Sequence, residues 1–150
     1  MFNHSHVPSL CLTNARSVNN KFDEFSFITT KFHPDFLCVT ETWLSDMIPD
    51  DTLCIPGYNL FRSDRQTGRK GGGLCVWVNS IFTVDDVIVD SLSVDIELLL
   101  IKSHLKSVSI ILTVLYFPHG ANLSKSTSAN LCYDVLSLVD RALGLSLIHI

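Results

Sequence analysis

Apolar residues in this chain follow two periods, and the places where one gives way to the other mark its elements. Residues 8–13 are mostly apolar and stop at Asn14, which predicts a first strand. Phe22, Phe25, Ile28 (or Thr29) and Phe32 then recur every three to four positions, which predicts a helix over 21–32. Asp23 and Glu24 fall in its first turn, where the helix dipole favours acids. Asn19 or Asn20 is placed to accept a hydrogen bond from the free amides of the helix start, and His33-Pro34 ends the helix. Phe36-Leu37-Cys38-Val39 is a short uncharged run, a buried strand by length, and it leads out to Glu41.

Beyond it the pattern predicts a loop or a single turn over 43–51 and a short hairpin over 52–62 around Pro56-Gly57. A polar, glycine-rich segment covers 63–73, and a strand covers 74–78. Three further runs rich in β-branched residues, 83–89, 94–103 and 108–116, read as an antiparallel meander. After a loop at 118–128, Leu131, Val135, Leu138, Val139 and Ala142 share one helical face, with Asp134, Asp140 and Arg141 elsewhere. Strand, helix, a run of strands, helix is an α+β order with a mainly antiparallel sheet and helices on one face.

Length and composition narrow this little. One hundred and fifty residues suit one domain or part of a larger one, and 47% hydrophobic with 17% charged residues is a globular balance. The net charge of −4 gives no whole-chain attraction to a polyanion, so such a partner would need a local basic patch or a metal ion. The five cysteines form no C-x-x-C pair and are odd in number; they read as reduced core side chains of an intracellular protein, not as a disulfide or zinc framework. The first ten residues lack an export-signal core, and the greasiest stretch, 108–117, is half the ~20 residues of a membrane helix, so no membrane association is expected. His4 and His6 have metal-binding spacing but read as a solvated terminus.

Two polar residues end early strands, Asn14 and Glu41. A carboxylate with a neutral amide suits a hard, oxygen-seeking cation that keeps several waters; alone, Glu41 reads equally as a capping or solvated acid. Arg62, Arg65, Arg69 and Lys70 surround a run ending in Gly71-Gly72-Gly73. Guanidinium forks match phosphate oxygens and glycines admit close backbone approach, although a basic surface loop has the same composition. Tyr116 ends the last strand, where it can donate to a phosphate or simply pack.

Taken in order, these pieces resemble a known series. Asn14-Ala15-Arg16-Ser17, Asn20-Lys21-Phe22-Asp23-Glu24, Pro34-Asp35 with Thr40-Glu41-Thr42-Trp43-Leu44, Gly57-Tyr58-Asn59-Leu60-Phe61-Arg62-Ser63-Asp64-Arg65 and the glycine run are similar to the N-terminal part of the endonuclease domain of non-LTR (LINE-type, jockey-like) retrotransposons. That domain lies in the endonuclease/exonuclease/phosphatase superfamily. The resemblance covers residues 10–116. It implies a DNase I-like four-layer αββα sandwich, here incomplete, and a Mg2+-dependent (or Mn2+-dependent) phosphodiesterase that nicks target DNA to prime reverse transcription. It further implies Asn14 and Glu41 at the metal and Tyr116 at the phosphate, DNA as partner, a reverse transcriptase domain in the same polyprotein, and a nuclear location at full length. The family's Tyr-Arg-Pro-Pro motif reads Tyr116-Phe117-Pro118-His119 here, and its Gly-Asp-Phe-Asn and Ser-Asp-His motifs do not occur. The domain is therefore expected to occupy 1–143 as a truncated half, with 144–150 a foreign tail. Such a half is expected to expose an inner apolar face and to be inactive alone. The alternatives from other branches are a non-catalytic nucleic-acid-binding remnant and a repair endonuclease or phosphatase of the same superfamily.

Overall fold

A computed structural model describes residues 6–65, 71–91, 96–117 and 125–143. They form two compact units, Met1–Ile81 and Phe82–Ile150. In the first unit, β1 (Leu10–Asn14), α1 (Phe22–Phe32), β2 (Phe36–Thr40), a 3₁₀ turn (Asp50–Leu53), β3 (Tyr58–Ser63) and β4 (Leu74–Asn79) build a four-stranded sheet in the order β1-β2-β4-β3. β1 and β2 run parallel, Leu10 opposite Phe36 through Asn14 opposite Thr40. Parallel neighbours require the chain to return to the starting end, and α1 is that crossover. β4 runs antiparallel to both β2 and β3.

The core of this unit centres on Trp77 of β4. Its side chain is fully buried, its ring lies 6.0 Å from Phe25 and 6.4 Å from Phe22 of α1, and its Nε1–H donates to the Leu53 carbonyl at 3.0 Å. Leu37, Val39 and Cys75 share this cluster with Val18, Leu44 and Ile55. Phe36, Cys38, Leu74, Val76 and Val78, which alternate with those residues, are buried as well. Burial on both faces explains why β2 and β4 read as continuous apolar runs and not as alternating ones. The bare apolar face expected of a half-sandwich is thus absent from β2 and β4. On β1, Leu10 and Leu12 do lie exposed.

α1 uses less of its predicted stripe than expected. Phe25 and Thr29 are buried, Phe22 and Ile28 half-buried, and Phe32 points outward with Lys31 over its ring at 5.2 Å. Neither Asn19 nor Asn20 caps it. Lys21 is the N-cap with no side-chain capping bond, its Nζ donating to the Ala15 carbonyl at 2.6 Å instead, and its carbonyl accepts from the Glu24 and Phe25 amides. His33 ends the helix in a left-handed conformation, its N–H on the Thr29 carbonyl at 3.1 Å. The hairpin predicted at 52–62 does not form. Leu53 and Ile55 are drawn into the core, Gly57 turns the chain at φ +81°, and β3 takes β4 as its partner.

The second unit is an antiparallel meander of β5 (Thr83–Ser91), β6 (Glu97–Leu105) and β7 (Val108–Tyr116), followed by α2 (Lys125–Leu143). Leu98, Leu99, Leu100 and Ile101 of the central strand are fully buried. α2 packs Val135, Leu138 and Val139 on Leu98 and Leu100, as the helical pattern predicted; the side chains of Leu131 and Ala142 lie outside the described residues. The architecture is α+β, with two sheets where periodicity alone suggested one, and a helix for each.

The thiols of Cys38 and Cys75 are buried, and burial pushes Cys38 up to about 12 and raises Cys75 well above the usual thiol range. Both stay protonated and inert, as core side chains should.

Replacing Trp77 by Phe keeps the ring but orphans the buried Leu53 carbonyl. A loss of about 1–3 kcal/mol is expected from urea denaturation followed by far-UV circular dichroism. A midpoint unchanged from wild type would show that this bond does not anchor the unit.

Candidate functional site

Four passages of the first unit meet at one edge of its sheet. β1 and β2 leave side by side, with Asn14 opposite Thr40, while Ser63 ends β3 opposite Leu74, the start of β4, which also faces Thr40. Backbone bonds prolong the meeting past the strands. Ala15 donates to Thr40 at 2.9 Å, Ser17 to Glu41 at 3.0 Å and Val18 to Thr42 at 2.9 Å; on the other side Thr42 donates to Gly73 at 3.2 Å and Trp43 to Gly72 at 3.0 Å. Adjacent strands lie about 4.8 Å apart, so Asn14 and Glu41 leave the sheet as neighbours. Asn14 is exposed and Glu41 half-buried.

The backbone here is unusual. Arg16, Ser17, Glu41 and Trp43 all have positive φ, of 49°, 95°, 52° and 55°. Each costs on the order of 1 kcal/mol or more for a residue with a side chain, and such conformations gather where surrounding structure over-determines them, often at functional sites. Gly72 and Gly73 supply that surrounding structure. A Cβ on Gly73 would collide with Oγ1 of the fully buried Thr42, and one on Gly72 would collide with the Arg65 guanidinium. The glycine run therefore lets Thr42 and Arg65 close onto β4, and that closure holds Glu41 in its turn.

The four basic candidates separate. All five N–H groups of Arg62 are used inside the chain. Nε and Nη2 fork onto Asp64, Nη1 donates to Asp50 and the Ile48 carbonyl at 2.8 Å each, and Nη2 reaches the Ser45 carbonyl at 2.6 Å. The Asp64 bond holds the guanidinium even more firmly protonated than usual, with Asp50 adding to it. Arg62 thus fastens the 45–50 loop to β3, which replaces the phosphate contact expected of it. Arg65 is half-buried beside Gly72, at the Asn14–Glu41 edge. Arg69 and Lys70 lie outside the described residues. Arg16 was missed: it stands exposed two residues past Asn14, and its place between a strand-ending amide and the next helix was the available signal.

Tyr116 ends β7 in the second unit, half-buried and opposite Glu97, a carboxylate only 7% exposed. His6 is not a free terminal residue. It bonds Asp35 at 2.9 Å, and the same oxygen accepts from the Ser9 amide at 2.7 Å and hydroxyl at 3.0 Å. This clasp sits at the opposite end of β2 from Glu41. His4 lies outside the described residues.

A carboxylate and an amide oxygen at neighbouring strand ends make a hard-oxygen donor pair, which suits Mg2+ or Mn2+ retaining most of its waters. Among the described residues no group of three or more His, Cys, Asp or Glu could hold a metal ion.

No helix among the described residues is long and apolar enough to cross a membrane. No protein-family model matches the sequence, and no curated protein matches it. Solved structures do match in shape. Mannosyl-6-phosphatase Bt3783 of Bacteroides thetaiotaomicron superposes with a TM-score of 0.67 at 14% identity, over 93% of this chain and 62% of that one. An endonuclease/exonuclease/phosphatase family protein from the same bacterium gives 0.65 at 14% identity over 89% and 59%. TDP2 of D. rerio, complexed with a single-strand DNA product, gives 0.65 at 12% identity over 89% and 55%. This chain spans less than two thirds of each. At these identities the likeness is one of fold, and the chain carries the DNase I-like α+β fold of endonuclease/exonuclease/phosphatase structures.

Proposed function

We propose that this chain is the amino-terminal part of a metal-dependent phosphodiesterase domain that nicks DNA, of the kind found in LINE-type retroelements. The observation that carries the reading is the parallel, in-register pairing of β1 with β2, which delivers Asn14 and Glu41 to one sheet edge lined by left-handed backbone. Asn14 and Glu41 would hold Mg2+ or Mn2+, which supplies Lewis-acid polarisation of a phosphoryl oxygen. Arg16, exposed at this edge, offers a fork for a flanking phosphate, and Arg65, packed against Gly72, adds positive charge beside it, with Arg69 and Lys70 the further cations that the sequence supplies. Tyr116, which ends β7 in the second unit, has its phosphate-contacting role only from the resemblance to the family's motif. The motifs that place and activate the attacking water, Gly-Asp-Phe-Asn and Ser-Asp-His, are absent from these 150 residues. The chain alone therefore binds without cutting, and a reverse transcriptase domain and a nuclear site of action belong to the full polyprotein.

DNA as partner is supported by the D. rerio TDP2 complex. A second reading, a repair or phosphomonoester hydrolase with the same edge, is supported by the shape match to mannosyl-6-phosphatase Bt3783. A reverse transcriptase reading frame downstream in the same locus decides for the first; its absence decides for the second.

Three outcomes are expected. Mn2+ titration followed by electron paramagnetic resonance should show weak binding that falls at least severalfold in Glu41→Gln; equal binding by both proteins would remove Glu41 from the metal site. Supercoiled plasmid with Mg2+ should stay intact, and nicking that disappears in Glu41→Ala would refute the claim of inactivity. Finally, Arg65→Ala should flatten the slope of log affinity for DNA against log salt by about 0.7–0.9. Arg62→Ala should leave that slope alone and lower stability instead, by roughly 2–4 kcal/mol for breaking a largely buried ion pair. The reverse assignment of effects would overturn these roles.

A further inference from the structure

The chain has two tryptophans, and they are opposites. Trp77 is fully buried, whereas Trp43 is 50% exposed. Trp43 is exposed without being loose. Its N–H is bonded to the Gly72 carbonyl at 3.0 Å, and its φ is +55°. Thr42 before it and Leu44 after it are both buried, with the Leu44 amide donating to Thr42 Oγ1 at 3.4 Å. Its indole Nε1 lies 3.4 Å from where a Cβ on Gly71 would stand. A bulky aromatic side chain seldom adopts this backbone conformation, and here the strain turns a large apolar ring outward. Core packing does not explain such a residue, because the core would draw the ring inward.

The neighbourhood gives the ring a use. Trp43 is two residues past Glu41, and the glycine that binds its amide is the one against which the Arg65 guanidinium packs. Arg16 stands exposed at the same edge, where Ser17 bonds Glu41. A fixed aromatic face beside guanidinium groups is the combination that holds single-stranded nucleic acid, cations taking the phosphates and the ring taking a base. We propose that Trp43 is a substrate-binding residue that stacks on an unpaired nucleobase next to the phosphate at the Asn14–Glu41 edge. The preferred substrate is then DNA with a single-stranded or unstacked nucleotide at the cut site. This rests on the DNA-cleaving reading and adds the base contact to it.

The pair of tryptophans makes its own assay. The intact chain is titrated with a twelve-residue oligothymidylate and with an abasic oligomer of the same length, in Mg2+, following tryptophan emission and, separately, fluorescence anisotropy of labelled DNA. Trp77 is shielded, so quenching reports Trp43. Oligothymidylate should quench the emission and the abasic oligomer should not. Trp43→Leu should bind oligothymidylate about tenfold more weakly, in line with the loss of one stacked base, while its affinity for the abasic oligomer is unchanged; Trp43→Phe should recover most of the difference. Circular dichroism checks that the variants fold, and the wild-type quenching decides even where one does not. Binding of both oligomers with no quenching, or equal loss of both in Trp43→Leu, overturns the stacking contact and leaves the nuclease reading standing. Failure of the wild-type chain to bind either oligomer overturns the DNA reading, and the stacking contact with it.

Discussion

The burial of Trp77 is the constraint from which the first unit follows. Its ring gives Phe22 and Phe25 a surface to pack on, and that contact fixes α1 against the sheet. Its indole N–H fixes the stretch before β3 through Leu53. With α1 held there, the chain crosses back and β2 enters parallel to β1. Parallel entry sends two successive strands out at the same edge. An antiparallel pairing of these strands would have put Asn14 and Glu41 at opposite ends, so the chemistry depends on a packing contact made by residues that take no part in it.

At the edge itself, precision comes from backbone and not from rigid side chains. Positive φ at Ser17, Glu41 and Trp43 is tolerated because each is bonded across to a neighbouring strand end or to the glycine run, and Arg16 lies between Ala15 and Ser17, whose amides are both so bonded. Gly72 and Gly73 leave the space in which Arg65 and Thr42 settle. Arg62 works behind this edge, tying the 45–50 loop to β3 through five donors. Two arginines three positions apart thus do unlike work. One ties a loop to a strand, and the other packs against Gly72 beside the strand ends.

The second unit shows a simpler logic. Its central strand is apolar on both faces, its neighbours pair in an unbroken antiparallel register apart from one bulge near Val84, and one amphipathic helix covers Leu98 and Leu100. Tyr116 and Glu97 face each other across β6 and β7 at the end of that sheet. A carboxylate 7% exposed beside a strand-ending tyrosine is a polar feature that hydrophobic periodicity could not foresee.

What the sequence determined by itself was local. Apolar period set both helices and every strand from β4 onward to within a few residues, since period reflects which side of a single element must leave water. Asn14 and Glu41 could be named because a polar residue ending an apolar run stands out from the sequence alone. The remainder was decided by pairings distant in sequence. Whether β1 joins β2 in parallel, whether 52–62 makes a hairpin or feeds its apolar residues to Trp77, and whether Phe32 is used at all depend on what each segment meets. Arg62 and Arg65 look alike in the chain because a guanidinium's role is set by the acids and carbonyls within its reach. Those are contributed by residues 45–50 and 64, which only the folded chain brings to it.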